Sequence, residues 1–278
     1  MPEPRHNLPM RKWFGLAALA AAMVMAQAAR AADNQLTPGE KSAGWRLLFD
    51  GRTYAGWRDP TKLHPPGDSF IIEDGCLKAV HNPRIVEDLF TSEEFGDFEL
   101  GFDWKISPAG NSGVKYRIQD HIFIPEVRER FEDRVKAALL APRAARPDKG
   151  QDYVIGFEYQ LTDDVTNPDA RFNGPKHQTA ALYDVAAPSK DATRPVGEFN
   201  HSVIVVKGER VKHYLNGEVV VETSLKSPDV AASMEKRWGK DSPVYGLLVN
   251  QPRARCPISL QNHGDEAWFK NVKIRILE

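Results

Sequence analysis

The chain has 278 residues, 41 % of them hydrophobic, and a formal net charge of −1 from 37 basic and 38 acidic side chains. That apolar content supports a real core, in one large domain or two small ones. The charges are scattered, with no Lys/Arg stripe to neutralise phosphates, which argues against a nucleic-acid partner; past the N-terminus no apolar run approaches the ~20 residues that span a bilayer.

Residues 1–32 read as an export signal and are set apart from the fold. Arg11 and Lys12 precede the apolar run WFGLAALAAAMVMA (13–26), and Ala29-Arg30-Ala31 offers a small-residue cleavage site. The expected location is periplasmic or secreted, with residues 33–278 as a single domain. An oxidising compartment allows Cys76 and Cys256 to form a disulfide; two separate buried thiols are the alternative. Nothing in the sequence specifies an oligomeric state.

Short strands separated by turn residues follow: WRLLF (45–49), SFIIE (69–73), CLKAV (76–80), FELGFDWKI (98–106), GVKYRI (113–118) and YVIGFEYQL (153–161). They continue with AALYDV (180–185), HSVIVV (201–206), RVKHYL (210–215), EVVVE (218–222), VYGLLV (244–249), ISLQN (258–262) and WFKNVKIRIL (268–277). Asp74-Gly75 and Asn216-Gly217 are two-residue hairpin signals. Many short strands with close turns and no fixed repeat predict an all-β sandwich or barrel. Two helices interrupt. One is predicted over 125–141, with Val127, Phe131, Val135 and Leu139 as its apolar stripe; the other over 228–238, capped by Ser227, with Val230, Met234 and Trp238. Residues 142–150 read as a loop.

Seven blocks then point to a family: FDGRTYAGW (49–57), FELGFDWKI (98–106), NSGVKYRI (111–118), GFEYQLTDD (156–164), ALYDV (181–185), VGEFNHSVIVVKGERVKHYLNG (196–217) and LQNHGDEAWFKNVKI (260–274). Their order resembles the 3-keto-disaccharide hydrolase family over about residues 45–278. The chain departs from the pattern at a helical insertion, 121–150, and at Phe199-Asn200, where Trp-Asn is more usual. The resemblance implies a concanavalin-like jelly-roll β-sandwich, and cleavage of glycosidic bonds in sugars already oxidised to a ketone at carbon 3. An oxidised carbohydrate is thus the expected partner.

The chemistry such a substrate invites is specific. A C3 ketone acidifies the C2 hydrogen; a base removes it, the enolate expels the C1 substituent, and water adds back. The route needs a base, a positive or hydrogen-bonding partner for the enolate oxygen, and a proton donor. In GFEYQLTDD, Phe157, Tyr159 and Leu161 alternate with Glu158 and Gln160, so a carboxylate and an amide share the polar face of a strand. Lys115 and Arg117 share a face of GVKYRI, just after Asn111. Gln261 and His263 share a face near the C-terminal strand. His263 and Glu158 are the rival bases, and Lys115 is the candidate cation for the enolate. Tyr183 is a candidate proton donor or sugar contact; Arg117, Gln160, Asn111, Gln261, His177 and Asn200 are candidate substrate ligands.

No H-x-H, H-E-x-x-H or paired-Cys spacing appears, so no cofactor is indicated, although a site built from distant strands could hold a divalent ion. Two other readings share the fold: a non-catalytic carbohydrate-binding module, and a two-carboxylate glycosidase. The second would need a carboxylate beside Glu158, where the strand offers Gln160, while Asp163 falls on the other phase.

Overall fold

Phe102 and Tyr159 meet edge to face with ring centroids 5.8 Å apart, and each comes from the apolar phase of a different sheet. Leu100, Phe102 and Trp104 from one, and Phe157, Tyr159 and Leu161 from the other, are almost wholly buried. Each such side chain contributes about 1.5–3 kcal/mol by leaving water. Period-two alternation on two facing sheets therefore forms the core.

The computed structural model describes residues 1, 32–59, 68–124, 130–141 and 149–278. The expected export segment, the first part of the 125–141 helix with Val127, and most of the 142–150 loop lie outside these. The elements in order are α1 (Pro38–Ser42), β1 (Trp45–Leu47), β2 (Trp57–Arg58), β3 (Phe70–Glu73), β4 (Cys76–Ala79), β5 (Ile85–Val86), β6 (Leu89–Thr91), β7 (Phe98–Ile106) and β8 (Asn111–Ile124). Then come α2 (Phe131–Leu140), β9 (Gly150–Thr162), α3 (Pro168–Asn173), β10 (Asn200–Lys207), β11 (Arg210–Leu215) and β12 (Glu218–Ser224). The chain closes with α4 (Pro228–Trp238), α5 (Pro243–Tyr245), a π-helical turn (Gly246–Asn250), β13 (Ser259–Leu260) and β14 (Ala267–Ile276). Among the described residues no helix is long and apolar enough to cross a membrane.

One sheet runs β12-β11-β10-β7-β14-β4-β3, with β1 also paired to β14; the other runs β2-β6-β13-β8-β9-β5. Neighbours distant in sequence and antiparallel pairing throughout, apart from β5 with β9, make this a jelly-roll sandwich. The hairpin turns fall at Asp74-Gly75 and Asn216-Gly217, all four residues with positive φ, as a primed two-residue turn requires.

Two predicted strands are absent. Residues 180–185 instead turn back beside β9, because Ala180 and Asp184 adopt φ of 66° and 61° and break the alternation. Residues 244–249 are helical: Ser242 caps and Pro243 occupies the first turn. A short buried apolar run does not by itself distinguish strand from helix. The predicted insertion is also shorter than expected, since residues 121–124 continue β8 and pair with β9. Within it, α2 keeps the stripe: Val135 is buried, and Phe131 and Leu139 pack against the core. In α4, Val230, Met234 and Trp238 are buried as the spacing predicted. Cys76 and Cys256 are separate buried free thiols.

Candidate active site

Core-facing Phe157, Tyr159 and Leu161 force Glu158 and Gln160 to the opposite face of β9, where a cleft of about 480 Å³ opens. That volume is in the range of small-ligand sites. Its walls bring together seven of the sequence candidates: Asn111, Glu158, Gln160, His177, Tyr183, Gln261 and His263. The described part of the insertion reaches it too, through Phe131 and Glu132.

The floor is a row across adjacent strands. β13, β8 and β9 place Ser259, Lys115 and Glu158 opposite one another. Gly113, also on β8, leaves the space that the Glu158 carboxyl fills: a Cβ there would collide with Glu158 Oε1. With its amide oriented to satisfy both neighbours, Gln160 donates to Glu158 Oε1 at 3.1 Å and to the Ser112 carbonyl at 3.2 Å. Burial lifts the Glu158 carboxyl to about 7, against the opposing pull of Lys115. Glu158 can therefore hold or release a proton near neutral pH.

Gln261 is fixed by its backbone, whose N–H donates to Gly113 O at 2.8 Å and whose carbonyl accepts from Ser112 Oγ at 2.8 Å. Its side-chain Oε1 is buried and has no hydrogen-bond partner, an acceptor prepared for a donor that enters the cleft. Asn262, on the other phase, turns away and donates to Ser69 O and Val80 O. His263 returns to the cleft, open to solvent at its mouth. Enclosure by the cleft walls, then the nearby Lys115 charge, lowers its pKa and favours the neutral ring.

The opposite wall holds a tight charged network. His177 lies between two carboxylates, with Nδ1 3.0 Å from Asp169 Oδ1 and Nε2 3.5 Å from Asp184 Oδ1. These partners raise His177 to about 9, so it stays an imidazolium at neutral pH. Burial pushes Asp169 up, but donors from His177, Asn173 and Tyr183 outweigh it and hold the carboxyl at about 2. Tyr183 Oη donates to Asp169 Oδ2 at 2.9 Å; burial and that carboxylate drive its pKa upward. The Arg237 guanidinium lies over the Tyr183 ring at 5.3 Å, and its Nε is 3.7 Å from Asp184. The turn carrying Tyr183 is pinned from the core by His213. Its Nδ1–H donates to Ala180 O at 2.9 Å, leaving Nε2 to accept from Tyr116 Oη at 2.9 Å; burial lowers its pKa to about 4, consistent with a neutral ring.

Three candidates lie elsewhere. Lys115 does not line the cleft; its Nζ is buried beside it, 3.1 Å from Asp88 Oδ2. Arg117 is not on the face of Lys115, because its φ of 51° sits in a bulge where the β8–β9 register shifts. Its guanidinium donates to Gly208 O at 2.8 Å and to Asp97 at 3.3 Å. Asn200 lines a different cavity of about 240 Å³, where its Oδ1 accepts from Arg194 N and Asn216 Nδ2, both at 2.8 Å. Conversely, sequence reasoning missed Asp169, Asp184 and Arg237. The only signal for Arg237 was its place beside the buried stripe of α4, which leaves it on the flank facing the cleft. Among the described residues, no group of three or more His, Cys, Asp or Glu side chains is arranged to hold a metal ion.

The chain is 30 % identical over 247 residues to a 3-keto-disaccharide hydrolase of Bacteroides thetaiotaomicron, covering 84 % of this chain and 79 % of the relative. A crystal structure of a glycosyl hydrolase candidate from Parabacteroides distasonis superposes with a TM-score of 0.67 at 28 % identity, covering 89 % of this chain and all of the other. A second from the same organism gives 0.55 at 26 % identity, covering 84 % and 99 %. Residues 44–275 match the profile of the 3-keto-alpha-glucoside-1,2-lyase-like domain, and the protein belongs to that family.

Proposed function

We propose that the protein cleaves the glycosidic bond of 3-keto-glycosides, 3-keto-disaccharides among them, by elimination and hydration. The observation that carries this reading is Glu158, a carboxyl lifted to about 7 in the floor of a polar cleft. A base with that affinity is matched to removing a proton that a neighbouring ketone has acidified. Arg237, which lines the cleft, supplies the positive, donating group for the enolate oxygen, the part that the sequence reading gave to Lys115, while the Gln160 amide holds the Glu158 carboxyl in place. The carboxylic acid formed on Glu158 then returns its proton to the departing C1 oxygen. His263, held neutral, takes a proton from the water whose oxygen adds to C1 of the unsaturated sugar, and that proton then returns to C2, which restores the 3-keto sugar and the free imidazole. Gln261 Oε1 accepts a hydroxyl of the glycone. Tyr183, its proton committed to Asp169, serves as a wall of the cleft rather than as the acid.

A two-carboxylate glycosidase gains one specific observation: Glu158 and Asp169 line the same cleft with proton affinities pushed far apart, the usual sign of an acid and a nucleophile. Against it, Asp169 Oδ1 is taken by Asn173 and His177, and Oδ2 by Tyr183. A binding module would not need the raised carboxyl. One assay separates the three: purified protein with a disaccharide and its 3-keto derivative. Release of reducing sugar from the keto form alone is the expected result. Equal turnover favours the two-carboxylate route, and binding without turnover the module.

Export is part of the same reading, resting on the charged and apolar pattern of residues 1–32. Protein recovered from the periplasm or medium should begin after Ala31; full-length chain retained in the cytoplasm would overturn it.

A further inference from the structure

Lys115 and Asp88 form an ion pair at 3.1 Å, with side chains only 4 % and 2 % exposed. Taking both charges from water is costly, and such a pair is weak evidence for stability alone. Its position is the informative part. Lys115 is the direct cross-strand partner of Glu158, so its ammonium lies beside the base yet outside the cleft lining. Asp88 closes the far side and is itself held by Ser259 Oγ at 2.9 Å, from the strand opposite Lys115 on its other edge. Ser259, Lys115 and Glu158 thus lie in one row, with Asp88 over the first two.

We propose that Asp88 is a positioning residue: paired to Lys115, it trims the positive field reaching the Glu158 carboxyl and so fixes the pH at which that carboxyl becomes a base. The other charged or titratable groups around Glu158 are Arg237 from α4, Asp169 from α3, Tyr153 from β9 and Tyr183 from the following turn, and Glu132 of α2, His177, Asp184 and His263 line the same cleft. Of these, Arg237 and Asp169 oppose each other in sign, and both tyrosines are neutral near pH 7. Lys115 pulls Glu158 down and Asp88 pushes it up, so the pair is the adjustable element next to the base. Burial presses Lys115 toward the neutral amine, and the Asp88 carboxylate holds it charged.

This rests on Glu158 as the base, so the test has an arm independent of turnover. The carboxyl of Glu158 is titrated by carbon-13 NMR in glutamate-labelled protein, assigned by its loss in Glu158→Gln. In Asp88→Asn the midpoint should fall by about one pH unit, the size of an uncompensated neighbouring charge. In the double variant Lys115→Met/Asp88→Asn it should rise above wild type. The acidic limb of kcat/KM should move the same way, about tenfold in rate per unit on that limb. Should Asp88→Asn fail to fold with an unpaired buried ammonium, the double variant still decides. An unchanged Glu158 midpoint in whichever variant folds overturns the proposal. A midpoint that shifts while the kinetic limb stays fixed upholds the field effect and rejects Glu158 as the base.

Discussion

Gly113 and Glu158 occupy neighbouring strands of one sheet, and the missing side chain of the first makes the space for the carboxyl of the second. The arrangement links a backbone choice to the position of a reactive group. Gly113→Ala should leave the core intact, because its neighbour Val114 and partner strand β9 are unaffected. It should displace the carboxyl by a fraction of its own size and cost about 10²-fold in kcat/KM, as small misplacements do. Steady-state kinetics with thermal unfolding checks this; equal losses in activity and Tm would mean that the glycine serves the fold instead.

Glu158 carries a pH signature of both activity and stability. As the proposed base, with an affinity near 7, it should make kcat/KM fall below that pH, and Glu158→Gln should lower turnover by roughly 10²–10⁴-fold. For stability, the folded carboxyl binds its proton more tightly than the ordinary value of 4.5. Between those values the native state holds more protons than the unfolded chain, so stability declines as pH rises from about 4.5 to about 7. Glu158→Gln removes that decline and should be the more stable protein above pH 7. A variant no more stable than wild type at pH 8 would contradict the raised affinity.

Arg237 brings a guanidinium to the cleft wall. Its guanidinium stacks over Tyr183 and Trp238, at 5.3 and 5.0 Å, which fixes the plane that a developing enolate oxygen would meet. Arg237→Met should cost about 10²–10³-fold in kcat with a smaller change in KM, the pattern of a group used mainly in the transition state. Arg237→Lys should recover only part, since an ammonium cannot reproduce the planar fork. A pure KM effect would make Arg237 a substrate ligand only.

The insertion joins strands that are already paired. Ile124 lies opposite Gln151, so a short turn can replace residues 125–149 without opening the sheet. Loss of Phe131 and Glu132 from the cleft wall should raise kcat/KM for a larger 3-keto-oligosaccharide relative to the disaccharide by about tenfold, a change in keeping with a few lost pocket contacts. If the ratio stays fixed while the variant folds, the helix covers the sheet edge and plays no part in selection.

What the sequence determined by itself is whatever follows from strict alternation and from local turn chemistry. Glu158 and Gln160 face the cleft because Phe157, Tyr159 and Leu161 must face the core, and Gln261 and His263 follow from the burial of Leu260 and Asn262. The stripe of α4 and the Asp74-Gly75 and Asn216-Gly217 turns were legible for the same reason. Tertiary structure decided the rest. Arg117 left its expected face because a non-glycine residue took positive φ in a bulge, a cost that only long-range pairing can impose and that no local pattern announces. Residues 180–185 gave up strand form under a similar constraint, with His213 holding Ala180 from another sheet. Asp169, Asp184 and Arg237 entered the cleft from separate segments whose meeting depends on how helices pack over the sheet. The proton affinity of Glu158 belongs there too, since desolvation and the Lys115–Asp88 pair exist only once three strands have come together.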